Sequence, residues 1–201
     1  FALWKFSPKD EKRQMEWESP WGKGFPGWHI ECSAMSMEAL GESFDIHTGG
    51  IDHKEIHHPN EIAQSEAVTG KQFAKYWVHT AFMHVTGLKM SKSLGNIYRL
   101  YDLEKDGYDA LALRYLYLQT HYRQEMNFTF PALDAAQNAF KRLVLEISRW
   151  EGQKPDPEDL PADGVKEFEK RFIEAINDDL NTPQALGVLW ALVKSELPKE
   201  T

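Results

Sequence analysis

The 201-residue sequence predicts an α/β fold followed by an α-helical bundle. Over residues 1–98, short runs rich in β-branched and aromatic residues alternate with short helix-like runs, as is typical of α/β folds. Beyond residue 129, apolar residues recur at spacings of three and four, which is the period of helices that pack on other helices. We therefore expect an α/β part at residues 1–98, a connector at residues 99–128 and a helical part at residues 129–201.

The α/β part contains three elements before its first glycine pair. Residues 1–6 predict a strand, and residues 31–40 predict a helix that ends at Gly41. Residues 44–47 then predict a second strand. This order of elements is what an α/β fold requires.

Thr48-Gly49-Gly50 follows that second strand directly. Glycines just beyond the carboxyl end of a strand allow a ligand to approach the backbone closely, and ligands of open α/β sheets bind at that edge. Most Gly-Gly pairs are plain turns, so the pair alone is weak evidence. Residues 76–85, rich in Trp, Val and Phe, predict a further strand that turns at Thr86-Gly87.

The connector and the helical part begin with clear helix signals. Residues 109–120 predict a helix rich in Leu and Tyr, and Thr129 is expected to cap the next helix just before Pro131. One apolar stripe runs along that helix, and we interpret it as core. Its members are Leu133, Ala136, Phe140, Leu143, Ile147 and Trp150.

Residues 151–163 contain three prolines and predict a solvated linker. Two helices are expected after it, over residues 165–180 and 184–197. Thr182 is the predicted cap of the second helix, with Pro183 at its first position.

The net charge of -8 does not decide whether the partner is a nucleic acid. Residues 151–163 hold five acidic residues and one lysine, a net of -4, so only -4 remains for the rest of the chain. A surface that binds a polyanion must then be a local basic patch. The candidates are Lys89, Lys92, Arg99, Arg114 and Arg123.

We expect neither a membrane-spanning segment nor a leader of the secretory type, because the sequence has no apolar run of the required length. Its single cysteine cannot form an internal disulfide, so we expect a reducing compartment and a cytoplasmic protein.

The most informative stretch is Lys89-Met90-Ser91-Lys92-Ser93, followed by Leu-Gly-Asn. Two lysines three residues apart, among hydroxyls, can stabilise the charge that develops on a transferring phosphate. The stretch therefore predicts a loop that closes on a polyphosphate. The alternative for a generic Lys/Ser loop is an exposed, soluble turn.

Cys32, His57 and Glu61 predict a metal site. Thiolate, imidazole and carboxylate together suit tetrahedral Zn2+ better than Ca2+ or Mg2+. His57 and Glu61 are four residues apart, so a helix would present both on one face, and Pro59 is tolerated in its first turn. The alternative is a buried thiol, an exposed histidine and a surface glutamate with no ion between them.

These stretches closely resemble the cysteinyl-tRNA synthetases, a family of class I aminoacyl-tRNA synthetases that carries the KMSKS loop. The resemblance runs from residue 3 to about residue 128. It rests on the strings GWHIECSAM at 27–35, FDIHTGGID at 44–52, HHPNEIAQS at 57–65 and KMSKS at 89–93.

The resemblance implies the C-terminal half of a Rossmann-like class I catalytic domain, followed by a helical bundle that begins the anticodon-binding region. It implies joining of L-cysteine to its tRNA through cysteinyl-adenylate, with ATP and Mg2+, and with Zn2+ selecting the thiolate over a hydroxyl. Residues implied in the site are zinc ligands Cys32, His57 and Glu61; cofactor-binding Trp28, His47, Gly49, Gly50, Asp52 and Lys92; and catalytic Lys89, Ser91, Lys92 and Ser93.

Two family features are missing from the sequence: a fourth zinc ligand, which is a second cysteine, and a His-Ile-Gly-His tetrad that holds the ATP phosphates. We therefore expect a fragment whose partner is the absent N-terminal half, and which is inactive alone. His29, His53 or His58 is an alternative fourth ligand. Two other functions stay open: a related ligase that joins cysteine to an amino-sugar, and a non-catalytic, zinc-stabilised module that binds tRNA or a protein.

Overall fold

The computed structural model describes residues 2–149 and 162–195. Internal contacts divide the chain into two units, the first up to Thr80 and the second from Ala81 onward. The functional boundaries near residues 98 and 128 stay predictions. Among the described helices, none has the length and apolar character needed to cross a bilayer.

The first unit combines a β-hairpin with a parallel β-α-β arrangement. In chain order its elements are β1 (Trp4–Phe6), β2 (Gly24–Pro26), α1 (Ile30–Leu40), β3 (Phe44–Gly50), a 3-10 turn (Ile51–His53), α2 (His57–Thr69) and β4 (Ala74–Thr80). β1 and β2 pair antiparallel. β3 and β4 pair in parallel, with Phe44 opposite Ala74 and Gly50 opposite Thr80. The predicted α/β character is confirmed here.

The second strand is longer than the sequence predicts. β3 continues through Thr48, Gly49 and Gly50, because these residues pair with Val78, His79 and Thr80 of β4. The two glycines therefore form the end of the strand itself, and the turn follows at Ile51–His53. α1 ends at Gly41 as predicted.

The second unit joins a small sheet to helices. Its elements are β5 (Met83–Val85), β6 (Leu88–Lys89), α3 (Leu100–Lys105), α4 (Ala110–Leu118), β7 (Met126–Phe128), α5 (Phe130–Ser148), α6 (Ala162–Asn177) and α7 (Thr182–Lys194). The sheet order is β6-β5-β7, with β5 antiparallel to β6 and parallel to β7.

The single strand predicted over residues 76–85 is wrong, because the chain changes sheets within it. The N–H of Ala81 donates to the carbonyl of Tyr122, and Phe82 accepts from the N–H of Met126. The residues before this point pair with β3, and those after it pair with β6 and β7. The predicted turn at Thr86-Gly87 is confirmed, with both residues at positive φ.

The predicted helices of the second unit pack around an apolar core. Asp109 and Thr129 cap α4 and α5 with their side chains, as expected for Thr129. Of the predicted stripe, Leu133, Ala136 and Leu143 are buried, and Phe140 and Ile147 pack against them. Trp150 lies outside the described residues.

The boundaries of the last two helices differ from the prediction. α6 begins at Ala162, within the predicted linker, and ends at Asn177. The cap of α7 is Asn181, whose side chain accepts from the N–H of Gln184, so Thr182 and Pro183 are the first two helical residues. The rest of the linker and the residues beyond Ser195 lie outside the described residues.

Candidate functional site

The first unit contains a buried carboxylate around which the predicted metal ligands gather. Glu61 lies one turn after His57 on α2, and its side chain is 1% exposed. The helix periodicity places the two on one face, where His57 Nε2 lies 2.7 Å from Glu61 Oε1. Pro59 occupies the first turn of α2, as predicted.

Cys32 comes from α1 and completes this group. The sulfur of Cys32, a ring nitrogen of His57 and a carboxylate oxygen of Glu61 all lie within 4.8 Å of one another. Cys32 is 25 positions before His57 in the sequence, so the fold is what brings its sulfur close to the His57–Glu61 pair. Their identity as zinc ligands stays a prediction.

The donor set fits a cation. Glu61 Oε2 is buried and has no hydrogen-bond donor in suitable geometry among the described residues. Burial raises the pKa of Glu61 to about 7. Burial, together with the charges of Glu61 and Glu31, also raises the pKa of the Cys32 thiol. A bound divalent ion would lower both of these pKa values, because it favours the deprotonated forms of the two ligands.

Several histidines that were not predicted to form one cluster lie at or near this carboxylate. His47 Nε2 lies 3.0 Å from Glu61 Oε2. His29 Nδ1 lies 2.8 Å from His57 Nδ1, and His58 Nδ1 lies 2.8 Å from His79 Nε2. Six of the eight histidines in the chain fall between residues 29 and 79. That density is the signal from which the cluster could have been predicted.

The buried imidazoles favour the neutral state. Burial is the main cause that lowers the pKa of His29, His47 and His57. Burial and the neighbouring His47 and His79 lower the pKa of His58 to about 4. A neutral imidazole keeps a nitrogen lone pair for a metal ion, so these rings are in the protonation state of ligands at neutral pH.

Trp28 lies at the edge of the cluster. Its ring stacks on His29 at a centroid distance of 4.5 Å and lies 5.5 Å from the ring of His57. Trp28 is 65% exposed, whereas His29 is buried and has a φ of 79° just before α1. Such backbone strain is found where the surrounding structure fixes a side chain for function.

Gly49, Gly50 and Asp52, which the resemblance implies in cofactor binding, also lie beside the cluster. A Cβ on Gly49 would stand 2.7 Å from His58 Cε1 and 2.9 Å from His53 Nδ1, and one on Gly50 would stand 2.5 Å from Asp52 Oδ1. In this structure, side chains of the same unit are what approach the backbone of these two glycines closely. Asp52 itself is exposed.

The predicted phosphate loop belongs to the second unit. Lys89 ends β6, and the loop after it is closed by Asn96, which accepts from the N–H of Ser91 and donates to the carbonyl of Lys89. Ser91 Oγ and Ser93 Oγ lie 3.1 Å apart. Lys89 and Lys92 are exposed, and neither has a carboxylate partner among the residues described for this loop and its surroundings. Both ammonium groups are available to an anion.

Comparisons with known proteins identify the family of this chain. The family model for the class I (C) tRNA synthetase catalytic domain matches residues 1–138, and a DALR domain matches residues 171–195. The cysteine–tRNA ligase 1 of Burkholderia lata is 54% identical over all of this chain, and the cysteine–tRNA ligase of Treponema denticola is 43% identical over 98% of it. The chain spans 41% and 44% of the length of these two relatives.

A solved structure supports the fold. The crystal structure of the ternary complex of Agrobacterium radiobacter K84 agnB2 LeuRS-tRNA-LeuAMS covers 74% of this chain with a TM-score of 0.60, at 16% identity and over 21% of its own length. The family model covers more than half of the present chain. The chain therefore belongs to the class I (C) tRNA synthetases, the family whose matched curated relatives are cysteine–tRNA ligases.

Proposed function

We propose that this chain is part of a ligase that joins L-cysteine to its tRNA with ATP, through cysteinyl-adenylate. The observation that carries the proposal is the convergence of Cys32, His57 and Glu61 within 4.8 Å in a chain of this family. A thiolate, an imidazole and a carboxylate form a ligand set that leaves a position open for a further sulfur.

Cys32, His57 and Glu61 would hold Zn2+, and the ion when bound would favour a substrate thiolate over the hydroxyl of serine. This selectivity matters because an apolar pocket separates such similar side chains poorly. Trp28 is exposed beside His57 and supplies an aromatic wall for the small substrate side chain. Burial of Glu61 and His57 keeps these two ligands away from bulk water.

The exposed lysines of the loop would act on ATP. In adenylation the carboxylate of cysteine attacks the α-phosphorus of ATP, the bond to the β-phosphate breaks and pyrophosphate leaves. No protein nucleophile is required, so catalysis consists of positioning and charge stabilisation. Lys92 and Lys89 are suited to stabilise the phosphate charge, with Ser91 and Ser93 as hydroxyl donors. Mg2+ would accompany ATP, and His47, Gly49, Gly50 and Asp52 are the proposed contacts to its nucleoside.

The second unit would supply the contacts to tRNA, since the DALR match lies in it. Within the predicted basic patch, Arg99 and Arg114 are exposed. Arg123 is bound to the carboxylate of Asp179, so it is less available to a phosphate. A role in protein synthesis would place the protein in the cytoplasm, where its single thiol stays reduced.

The test of this function is Lys92→Ala in the complete ligase. Loss of one donor to the transition state should lower cysteine-dependent ATP–pyrophosphate exchange by about a hundredfold. Lys92 is exposed, so the free energy of unfolding should change by less than about 0.5 kcal/mol. The control is Lys105→Ala, which removes an exposed lysine of α3 and should leave exchange unchanged. Unchanged exchange in Lys92→Ala, with intact folding, would refute the assignment.

A further inference from the structure

One side chain closes the loop of residues 89–96, which contains Lys92. Asn96 Oδ1 accepts a hydrogen bond from the N–H of Ser91 at 2.8 Å, and Asn96 Nδ2 donates to the carbonyl of Lys89 at 3.1 Å. An amide can make this pair of bonds because it carries both an acceptor and a donor, whereas a carboxylate offers acceptors only. Asn96 thus ties the end of the loop to its beginning.

Hydrogen bonds between nearer residues order the loop inside this closure. The N–H of Leu94 donates to Ser91 Oγ at 3.3 Å, and the N–H of Gly95 donates to the carbonyl of Lys92 at 3.2 Å. Gly95 has a φ of 63°, in the left-handed region that glycine adopts without a steric cost. The loop is therefore a hydrogen-bonded turn, and the backbone before and after Lys92 takes part in it.

The beginning of the loop is anchored to the apolar core of the second unit. Met90 is half-buried, packs against that core and lines a small apolar cavity in it. Its neighbours in the chain, Lys89 and Ser91, are the two residues to which Asn96 is bonded. Asn96 therefore connects the end of the loop to a point that apolar packing already holds in place.

No side-chain contact in the described part of this unit fixes the ammonium group of Lys92. The side chain is exposed and has no ion pair or hydrogen bond among the described residues. A flexible four-carbon stem samples many positions, and a point charge stabilises a transition state only where it is held near the charge that develops. The positions that the ammonium group can reach therefore depend on the backbone of the loop, and so on Asn96.

We propose that Asn96 is a positioning residue for adenylation: it holds the loop of residues 89–96 in the shape from which Lys92 reaches the phosphates of ATP. The inference rests on the proposed function, because it assumes that Lys92 acts on ATP. Asn96 itself does not need to touch the substrate. Its amide acts through the backbone of the loop, by keeping a transition-state donor in place before ATP arrives.

A double-mutant cycle in the complete ligase tests this role. Asn96→Ala should lower kcat of cysteine-dependent ATP–pyrophosphate exchange by about tenfold, because Lys92 is then misplaced, and should change KM for ATP by less than about twofold. In a ligase that already carries Lys92→Ala, adding Asn96→Ala should lower kcat by less than about twofold, because the group that Asn96 positions is gone. A residue with a purely structural role would have its full effect in both backgrounds.

The matched control is Asn127→Ala. Asn127 Oδ1 accepts from the N–H of Gly87 at 2.7 Å, which is a bond of the same kind in the turn between β5 and β6. Its loss should lower the thermal stability about as much as Asn96→Ala does, because each variant removes bonds from an asparagine side chain to the backbone. The kcat of this control should stay close to that of the parent. Circular dichroism establishes that each variant is folded.

Trypsin reports on the loop without requiring activity. In the full 201-residue chain, cleavage after Lys92 should be at least about fivefold faster in Asn96→Ala than in the parent, because opening of the loop exposes this peptide bond. Mass spectrometry of the products identifies the cleaved bond. Cleavage after Lys92 should be unchanged in Asn127→Ala, and equal rates in the parent and in Asn96→Ala would show that Asn96 does not order the loop.

Two kinetic results would overturn the inference alone. One is an unchanged kcat in Asn96→Ala while Lys92→Ala loses exchange, and the other is a double variant in which the two losses multiply in full. Unchanged exchange in Lys92→Ala would instead refute the proposed role of the loop in adenylation, and this inference with it. The two failures are distinguishable, because Lys92→Ala is impaired in the first case and active in the second.

Discussion

The first unit buries mainly polar side chains, whereas the second buries apolar ones. Among the described residues up to Thr80, the only buried apolar side chains are Phe73 and Ala74. The buried polar ones are His29, Ser33, His57, His58, Glu61, Gln64 and Ser65. In the described part of the second unit, every buried side chain is apolar or aromatic, from Val85 to Val193.

The difference shows that the units are stabilised in different ways. Burying a polar group costs free energy unless it finds a partner, so the first unit depends on hydrogen bonds and on the zinc ion that we propose for it. Apolar packing holds the second unit without such help. The unit that contains the candidate metal site is therefore the one whose stability we expect to depend on bound metal.

The largest effect on stability should come from the core of the second unit. Leu133 is fully buried in α5, and Leu133→Ala should lower the free energy of unfolding by about 3 kcal/mol through lost contacts and a cavity. Urea unfolding followed by circular dichroism measures the loss. Val144→Ala on the exposed face of the same helix is the control. Zinc content should not change, and a parallel loss of zinc would show that the units are not stabilised separately.

The first unit should instead respond to metal. Zinc at a hundred times its dissociation constant should stabilise this unit by about 2.7 kcal/mol, because only the folded site binds the ion. Hydrogen exchange at the amides of α2, with zinc and with a chelator, measures the effect. Cys32→Ser should reduce it, whereas Glu38→Gln on the exposed face of α1 should not. If the amides of α2 were equally protected with and without zinc, the first unit would not depend on metal for its stability.

Helix caps should contribute a smaller amount. Thr129→Ala removes the bond from its side chain to the N–H of Ala132 and should cost about 1 kcal/mol. Asn181→Ala should cost about the same, because its side chain caps α7. Thr182→Ala is the informative control, since it removes no cap and should change stability by less than about 0.5 kcal/mol. Thermal unfolding of the three variants tests this order.

The smallest effect is expected at Asp179, on the surface of the second unit. Hydrogen bonds from Arg123 and Tyr122 lower its pKa below the ordinary 3.8. A lowered pKa in the folded state stabilises the fold above pH 3.8, and this contribution is lost as the pH falls through the folded-state value. Asp179→Asn should therefore be slightly less stable than the parent at neutral pH and equal to it in strong acid. If the stability difference between Asp179→Asn and the parent grew as the pH fell, the pKa of Asp179 would not be lowered in the folded state.

Local signals in the sequence were sufficient for much of the second unit. The apolar period predicts α5 because its stripe packs on neighbouring helices, and Thr129 is the only capping residue next to the start of that helix. The cap of α7 could not be chosen in the same way. Asn181 and Thr182 are both good caps, and only the observed bond from Gln184 decides between them.

Features that depend on distant partners were not predictable. Residues 76–85 have strand propensity throughout, and the change of sheet at Ala81 depends on a bond to Tyr122, 41 positions away. Cys32, His57 and Glu61 do lie together, as predicted. This grouping could be predicted only from the family resemblance, because the three residues are not adjacent in the sequence. The density of histidines between residues 29 and 79 indicates a cluster, but the contacts of His29 with His57 and of His47 with Glu61 depend on elements that are distant in the sequence.

The glycine at position 49 has a consequence for how this sequence can evolve. Any larger residue there would collide with the rings of His58 and His53, so its cost depends on which residues occupy those positions. Gly187 on α7 has open space and an ordinary φ, and its replacement carries no such condition. Substitution at position 49 is thus epistatic: the histidines must be lost before the glycine can be, and a lineage that keeps the cluster keeps the glycine with it.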